Sequence, residues 1–194
     1  VAMLLVGLAI FSSLYSTQAI LPTLVQNMGL SSTEAAMTVS AATGALALCV
    51  VPASILSERF GRGRILLISA VSATSVGLIV PLAAEGWHLI LLRGLQGALL
   101  SGAPATAMAW LSEELDDKAL PRAMGLYIAG TSVGGLTGRL IPTGLVEIST
   151  WRWALFGSAL MSTATDDERS ATYRSLARVT YISAGIESDF FESD

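Results

Sequence analysis

Charge is scarce in this chain. Asp, Glu, Lys and Arg make up 13% of its 194 residues, about half of the roughly 25% found in an ordinary soluble domain. With 53% hydrophobic residues and a mean hydropathy of +0.64, the chain has too little polar surface to cover a globule in water. The charge is also unevenly placed. Residues 1–165 balance eight basic side chains against eight acidic ones, and the whole formal −4 belongs to residues 166–194. The acidic balance therefore says nothing about a partner of the main body. There is one cysteine, Cys49, inside an apolar run. It excludes a disulfide framework and a cysteine metal site, and it reads as a small buried hydrophobe. The single histidine, His88, excludes a His-rich metal site. No HExxH pair, nucleophile elbow, phosphate-cradling glycine loop or acidic pair at depth is read, so no enzyme and no cofactor are expected. The basic residues are too few for a nucleic-acid surface.

Long apolar runs are abundant instead. A helical membrane span needs about 20 mostly apolar residues, and six candidates occur, at 1–25, 35–55, 65–84, 88–111, 123–146 and 151–165. The chain begins at Val1 without a charged leader, so the first run reads as a span and not as a signal peptide. The sixth is short. The connections, at 26–34, 56–64, 85–87, 112–122 and 147–150, are brief enough to lay consecutive helices antiparallel beside one another. The second and fourth carry Arg59, Arg62, Arg64, Lys118 and Arg122, whereas the odd-numbered ones carry Arg152, with Arg139 nearby. The excess of positive charge puts the second and fourth loops, and with them the N-terminus, in the cytoplasm. Trp87, Trp110, Trp151 and Trp153 fall at span ends, where an aromatic belt belongs. Residues 166–194 have no run that could span, and read as a soluble or disordered acidic tail or as sequence foreign to the fold, left by a truncation or a shifted frame.

Within the spans a few polar residues stand out. In the fourth, Arg93 and Gln96 lie one turn apart on one face, with Gly97, Ser101 and Ala105 continuing a small-residue stripe. An arginine at the bilayer centre costs about 2.5–3.5 kcal/mol, so a cation beside an amide suggests a polar cavity; partial snorkelling to the interface is the alternative. Arg139, nearer its helix end, reads as an anchor. In the first span Tyr15 and Gln18 share a face ahead of Pro22, either lining a cavity or bonding between helices. In the fifth, Gly130, Gly134 and Gly138 recur every four residues with Gly135 alongside. That face allows either tight helix packing or a flexible, gating contact. Ser31 and Glu34 have the spacing of a capping box.

The eleven residues 54–64, SILSERFGRGR, form a charged turn between two uncharged spans. They resemble motif A of the major facilitator superfamily, G-x-x-x-D-R-x-G-R-x-R. Ser54 stands for the first Gly and Glu58 for the Asp, while Arg59, Gly61, Arg62 and Arg64 match. Arg93-x-x-Gln96-Gly97 resembles motif B of helix four, and the fifth-span glycines are similar to motif C of antiporters, with Gly135 where Pro is commoner. Tyr15, Gln18 and Pro22 resemble helix one of bacterial drug and sugar efflux members. The resemblance covers about residues 1–165. It implies an all-α integral membrane protein, a six-helix bundle of two inverted three-helix repeats that forms half of a twelve-helix fold. It further implies a secondary active transporter of a small organic molecule, working with a C-terminal six-helix half that this chain lacks, in the cytoplasmic (inner) membrane and coupled to protons as an efflux antiporter. Tyr15, Gln18, Arg93 and Gln96 would line the substrate path. Glu58 and a motif A arginine would pair with each other and with an acid at the cytoplasmic end of helix four, Glu113 or Glu114, in a cytoplasmic latch. The alternative is a non-transporting membrane remnant or regulatory protein derived from such a carrier. The expected partners are lipid, the substrate, protons and the second half, with no nucleic acid.

Overall fold

A computed structural model of the chain describes residues 2–160; the acidic tail and the far end of the sixth span lie outside the described residues. Seven helices and two short 3-10 turns follow one another: α1 (Ala2–Tyr15), a turn at Gln18–Ile20, α2 (Leu21–Met28), α3 (Ser32–Phe60), α4 (Arg62–Ile79), a turn at Val80–Leu82, α5 (Gly86–Leu100), α6 (Gly102–Glu114) and α7 (Leu120–Ile148). Residues 151–160 are helical as well. Three of these helical stretches, Met3–Met28, Ser32–Phe60 and Arg62–Leu82, are each long and apolar enough to cross a membrane. Leu48, Leu82 and Ile148 stand on the outside of the bundle, at 79%, 74% and 83% exposure. Such a surface suits hydrocarbon and not water.

The helix boundaries follow local chemistry. At the start of α3 the Glu34 amide donates to Ser31 Oγ at 3.2 Å, and the Ser31 amide donates back to Glu34 Oε2 at 2.8 Å. This is the reciprocal box that the Ser31–Glu34 spacing predicts. At its other end α3 runs to Phe60 and α4 starts at Arg62, so the link between the two is Gly61 alone, at φ 92°. A side chain there would be strained whatever the space around it. The sequence reading of a loop over 56–64 is thus corrected. Residues 54–60 are the last turns of α3, and Gly63 lies inside α4 and breaks nothing.

Two prolines accompany breaks within runs that the sequence reads as single spans. Pro104 has no N–H for the Leu100 carbonyl and crowds it, so the helix parts one turn earlier. There α5 ends, and the Ser101 amide reaches back three residues to Ala98 O at 3.3 Å. Pro22, in the first turn of α2, stands behind a similar break. α1 stops at Tyr15, and the Ile20 amide bonds Thr17 O at 3.2 Å. Pro52 and Pro142 sit inside α3 and α7 without breaking them.

The closest seams join spans that are not consecutive, the first with the fifth (α1 with α7) and the second with the fourth (α3 with α5), where short connections suggested sequence neighbours. Along α1–α7, a Cβ on Gly130, Gly134 or Gly138 would strike the backbone of Leu4, Leu8 or Ser12 respectively, and one on Gly7 would meet the Tyr127 carbonyl. Both sets of numbers rise together in steps of four, so the two helices run parallel, backbone against backbone. Gly97 meets the Ala42 backbone of α3 in the same way.

Two apolar clusters fill the bundle. Met3, Val6, Ile10, Leu66, Ala103, Leu111 and Tyr127 belong to one, and Ile20, Leu24, Val80, Leu89, Trp151 and Leu155 to the other. Trp151 is 4% exposed, which corrects its place in the aromatic belt. It is a core residue, with the Arg152 guanidinium 4.5 Å over its ring. Arg152 also donates to Pro81 O and Ala83 O at 3.0 and 3.1 Å, tying this end of the bundle together. Trp87 and Trp153 remain exposed, and Trp110 packs against the first cluster beside Gly63.

Candidate functional site

Between the two apolar clusters lies a polar layer, and its centre is Arg93. The side chain is 2% exposed and Gln96 4%. Arg93 Nη2 donates to Leu14 O at 2.6 Å, and Nη1 donates to Ser13 O at 3.2 Å and to Gln96 Oε1 at 2.6 Å. Gln96 Nε2 in turn donates to Ser13 Oγ at 2.9 Å. The two carbonyls belong to the last turn of α1, where the break before Pro22 leaves them without their usual helical donors. A guanidinium with five fixed donors suits that gap. Irregular backbone at membrane depth is tolerated where other groups satisfy it in this way. Gly77 of α4 makes room for the amide, since a Cβ there would stand 2.8 Å from Gln96 Nε2.

Beside this layer is a small cavity of about 10 Å³, lined by Ser13, Ser16, Thr17, Gly77, Arg93 and Gln96, with Val80, Leu155 and Ala159 closing it. Two donors along it, Arg93 Nε and Thr17 Oγ1, are buried without a hydrogen-bond partner among the described residues.

Tyr15 and Gln18 do not join Arg93. They meet Arg139 of α7, whose guanidinium sits 4.3 Å over the Tyr15 ring and whose Nε donates to Gln18 Oε1 at 3.1 Å. The four expected path residues are therefore two groups, and the reading of Arg139 as a mere anchor is corrected. Serines and a threonine the sequence reading passed over, Ser13, Ser16 and Thr17, complete the Arg93 group. Their three- and four-residue spacing on one helix face was the available signal.

At the charged end, Arg62 Nε lies 2.8 Å from Glu113 Oε1. The other latch candidates are arranged differently. Ser54 gives its carbonyl to Ser57 Oγ at 2.6 Å, and Glu58, Arg59 and Arg64 are exposed. The pairing expected of Glu58 with a motif A arginine is absent among the described residues; Glu58 points away on the outside of the last turn of α3 while Arg62 turns inward past Gly61. Glu114 ends α6 next to Glu113. Gly130, Gly134 and Gly138 serve the α1 seam, and a Cβ on Gly135 would stand 3.6 Å from the Tyr15 ring. Residues 130–134 read G-T-S-V-G, which matches a nucleophile elbow by letter. Ser132, however, lies in mid-α7 and donates to Ile128 O at 3.3 Å, with no strand-to-helix turn to expose it. Among the described residues no group of His, Cys, Asp or Glu could hold a metal ion.

Comparison with known proteins agrees with this architecture. Residues 3–165 match the model of the Major Facilitator Superfamily. The inner membrane transport protein YnfM of Escherichia coli strain K12 is 37% identical over 150 residues, covering 77% of this chain and 36% of its own length. The transporter BU588 of Buchnera aphidicola from Acyrthosiphon pisum is 36% identical over 156 residues, 80% of this chain and 38% of that protein. YybF of Bacillus subtilis strain 168, described as an MFS-type transporter, is 34% identical over 149 residues, 77% of this chain and 37% of its own. The chain thus spans little more than a third of the length of these relatives.

Proposed function

The chain belongs to the major facilitator superfamily, and from that membership we propose that it forms the N-terminal six-helix half of a secondary active transporter for a small organic molecule. In this reading it works in the cytoplasmic membrane as a proton-coupled efflux antiporter, with its N-terminus in the cytoplasm and a second six-helix bundle as its counterpart. The observation that carries the proposal is the polar layer around Arg93 and Gln96, set at mid-depth between two apolar clusters. Carriers of this architecture hold their substrate near the midplane, at the boundary between repeats. Tyr15 and Gln18, with Arg139, contribute a second polar group on α1 and α7. Arg62 and Glu113 act as a latch between α4 and α6 at the cytoplasmic face, closed in one conformation and open in the other.

No acidic residue lies deep in the six spans, so in this reading the proton-carrying group is either Glu58 or a residue of the second bundle. The test is transport. Joined to a C-terminal bundle in proteoliposomes, the chain should drive efflux of a small organic substrate that collapses when the proton gradient is dissipated. Alone it should carry none. Robust flux by the 194-residue polypeptide alone would overturn the half-transporter reading, and efflux indifferent to the gradient would overturn proton coupling.

A further inference from the structure

The cavity beside Arg93 has a composition that its hydrogen bonds leave unexplained. Arg93 is a cation at 2% exposure. Its hydrogen-bond partners among the described residues are two carbonyl oxygens and one amide oxygen, all neutral. The ion pair Arg62–Glu113 lies far off, at the start of α4. A buried charge is normally paired with an opposite charge, and here the counter-charge is missing from the side chains described. What lines the cavity is instead a set of donors. Arg93 Nε–H and Thr17 Oγ1–H are buried and unpartnered. Ser13 Oγ receives a bond from Gln96 and so keeps its own proton free to donate. Ser16 turns its proton away to Ser13 O at 3.0 Å and adds no competing demand. A cavity of about 10 Å³ admits one water molecule or one small monoatomic ion, and is too small for an organic substrate.

We propose that this cavity binds a single halide ion of chloride size, which accepts hydrogen bonds from Arg93 Nε and Thr17 Oγ1 and supplies the missing counter-charge of Arg93. The ion would join α5 to the broken end of α1 independently of any substrate. Its role is a bound structural anion, and it stands whether or not the chain transports anything.

The test uses the purified full chain in detergent micelles. Thermal melting is followed while sodium chloride replaces sodium gluconate at constant ionic strength. Because a ligand held only by the folded state raises the melting temperature with concentration, the expected result is a saturating rise in chloride that gluconate, too large for the cavity, does not give. Thr17→Val removes one donor that has no partner in the protein, so its fold is retained, and it should need about tenfold more chloride for the same rise, the loss expected for one bond to a charged partner. Arg93→Gln should abolish the response; if that variant does not fold, Thr17→Val decides. Identical melting in the two salts would overturn the proposal and leave water as the occupant. A chloride response of unchanged midpoint in Thr17→Val would also overturn it, since a general salt effect survives that substitution.

Discussion

Two arginines of this chain are held in opposite ways. Arg93 is enclosed between the two apolar clusters, fixed by three hydrogen bonds to two helices. Arg62 sits at the bundle's charged end and meets one carboxylate, with 20% of its side chain and 54% of that of Glu113 exposed. A guanidinium that fills a gap in a helix cannot leave without orphaning buried carbonyls, whereas an exposed pair can open into water at little cost. The first arrangement belongs to the frame of the protein and the second to a contact that can make and break. Position along the same bundle, and not residue type, decides which.

The largest effect is expected from Arg93→Leu. It leaves Leu14 O unsatisfied and Ser13 O with the Ser16 hydroxyl in place of the guanidinium, at about 1–3 kcal/mol for the orphaned carbonyl. The chain should melt far lower, or fail to accumulate in the membrane, and Arg93→Lys should recover part of the loss. A melting temperature unchanged by the leucine would erase the contrast between the two arginines. Next comes Gly134→Val, which pushes a side chain into the Leu8 backbone of α1. It should cost about 1–3 kcal/mol or more, while Gly144→Val, with nothing within 4 Å, should be nearly silent. Gln96→Leu removes an acceptor for Arg93 and a donor to Ser13, for a loss of about 1–2 kcal/mol read by the same melting curves.

The smallest effect on stability should come from Glu113→Gln, about 0.2–1 kcal/mol. Its signature is conformational: a cysteine placed at Ser57, buried on the last turn of α3, should react faster with a soluble thiol reagent once the Arg62 contact is gone. The charge swap Arg62→Glu with Glu113→Arg should return the slow rate. If the single change lowered melting as much as Arg93→Leu does, the pair would be part of the frame after all.

Much of this was legible in the sequence, and the limits have physical causes. Hydropathy located the spans because a bilayer demands uninterrupted apolar length. The capping box at Ser31–Glu34 was readable because both partners lie within one turn. The four-residue glycine repeat announced a close approach, but a bare helix face does not name its neighbour, so α1 as the partner of α7 came from the structure. Arg93 was picked out by its cost at depth, yet its partners, Ser13 O and Leu14 O, are backbone atoms that no side-chain pattern marks. The breaks at Ser101 and after Tyr15 escaped notice because a proline acts on the turn before it. Arg139 was judged by its own helix alone, and its place over Tyr15 depends on a residue of another.

The glycine seam constrains how the bundle can move. With a backbone opposite a backbone at each step, α1 and α7 mesh like a rack whose teeth come every four residues, about 6 Å along the axis. At these glycine steps no side chain lies between them to swing aside, so small sliding displacements collide and the next matching register is a whole tooth away. The first and fifth spans therefore travel as one rigid bar, and any rearrangement of the protein has to be hinged elsewhere.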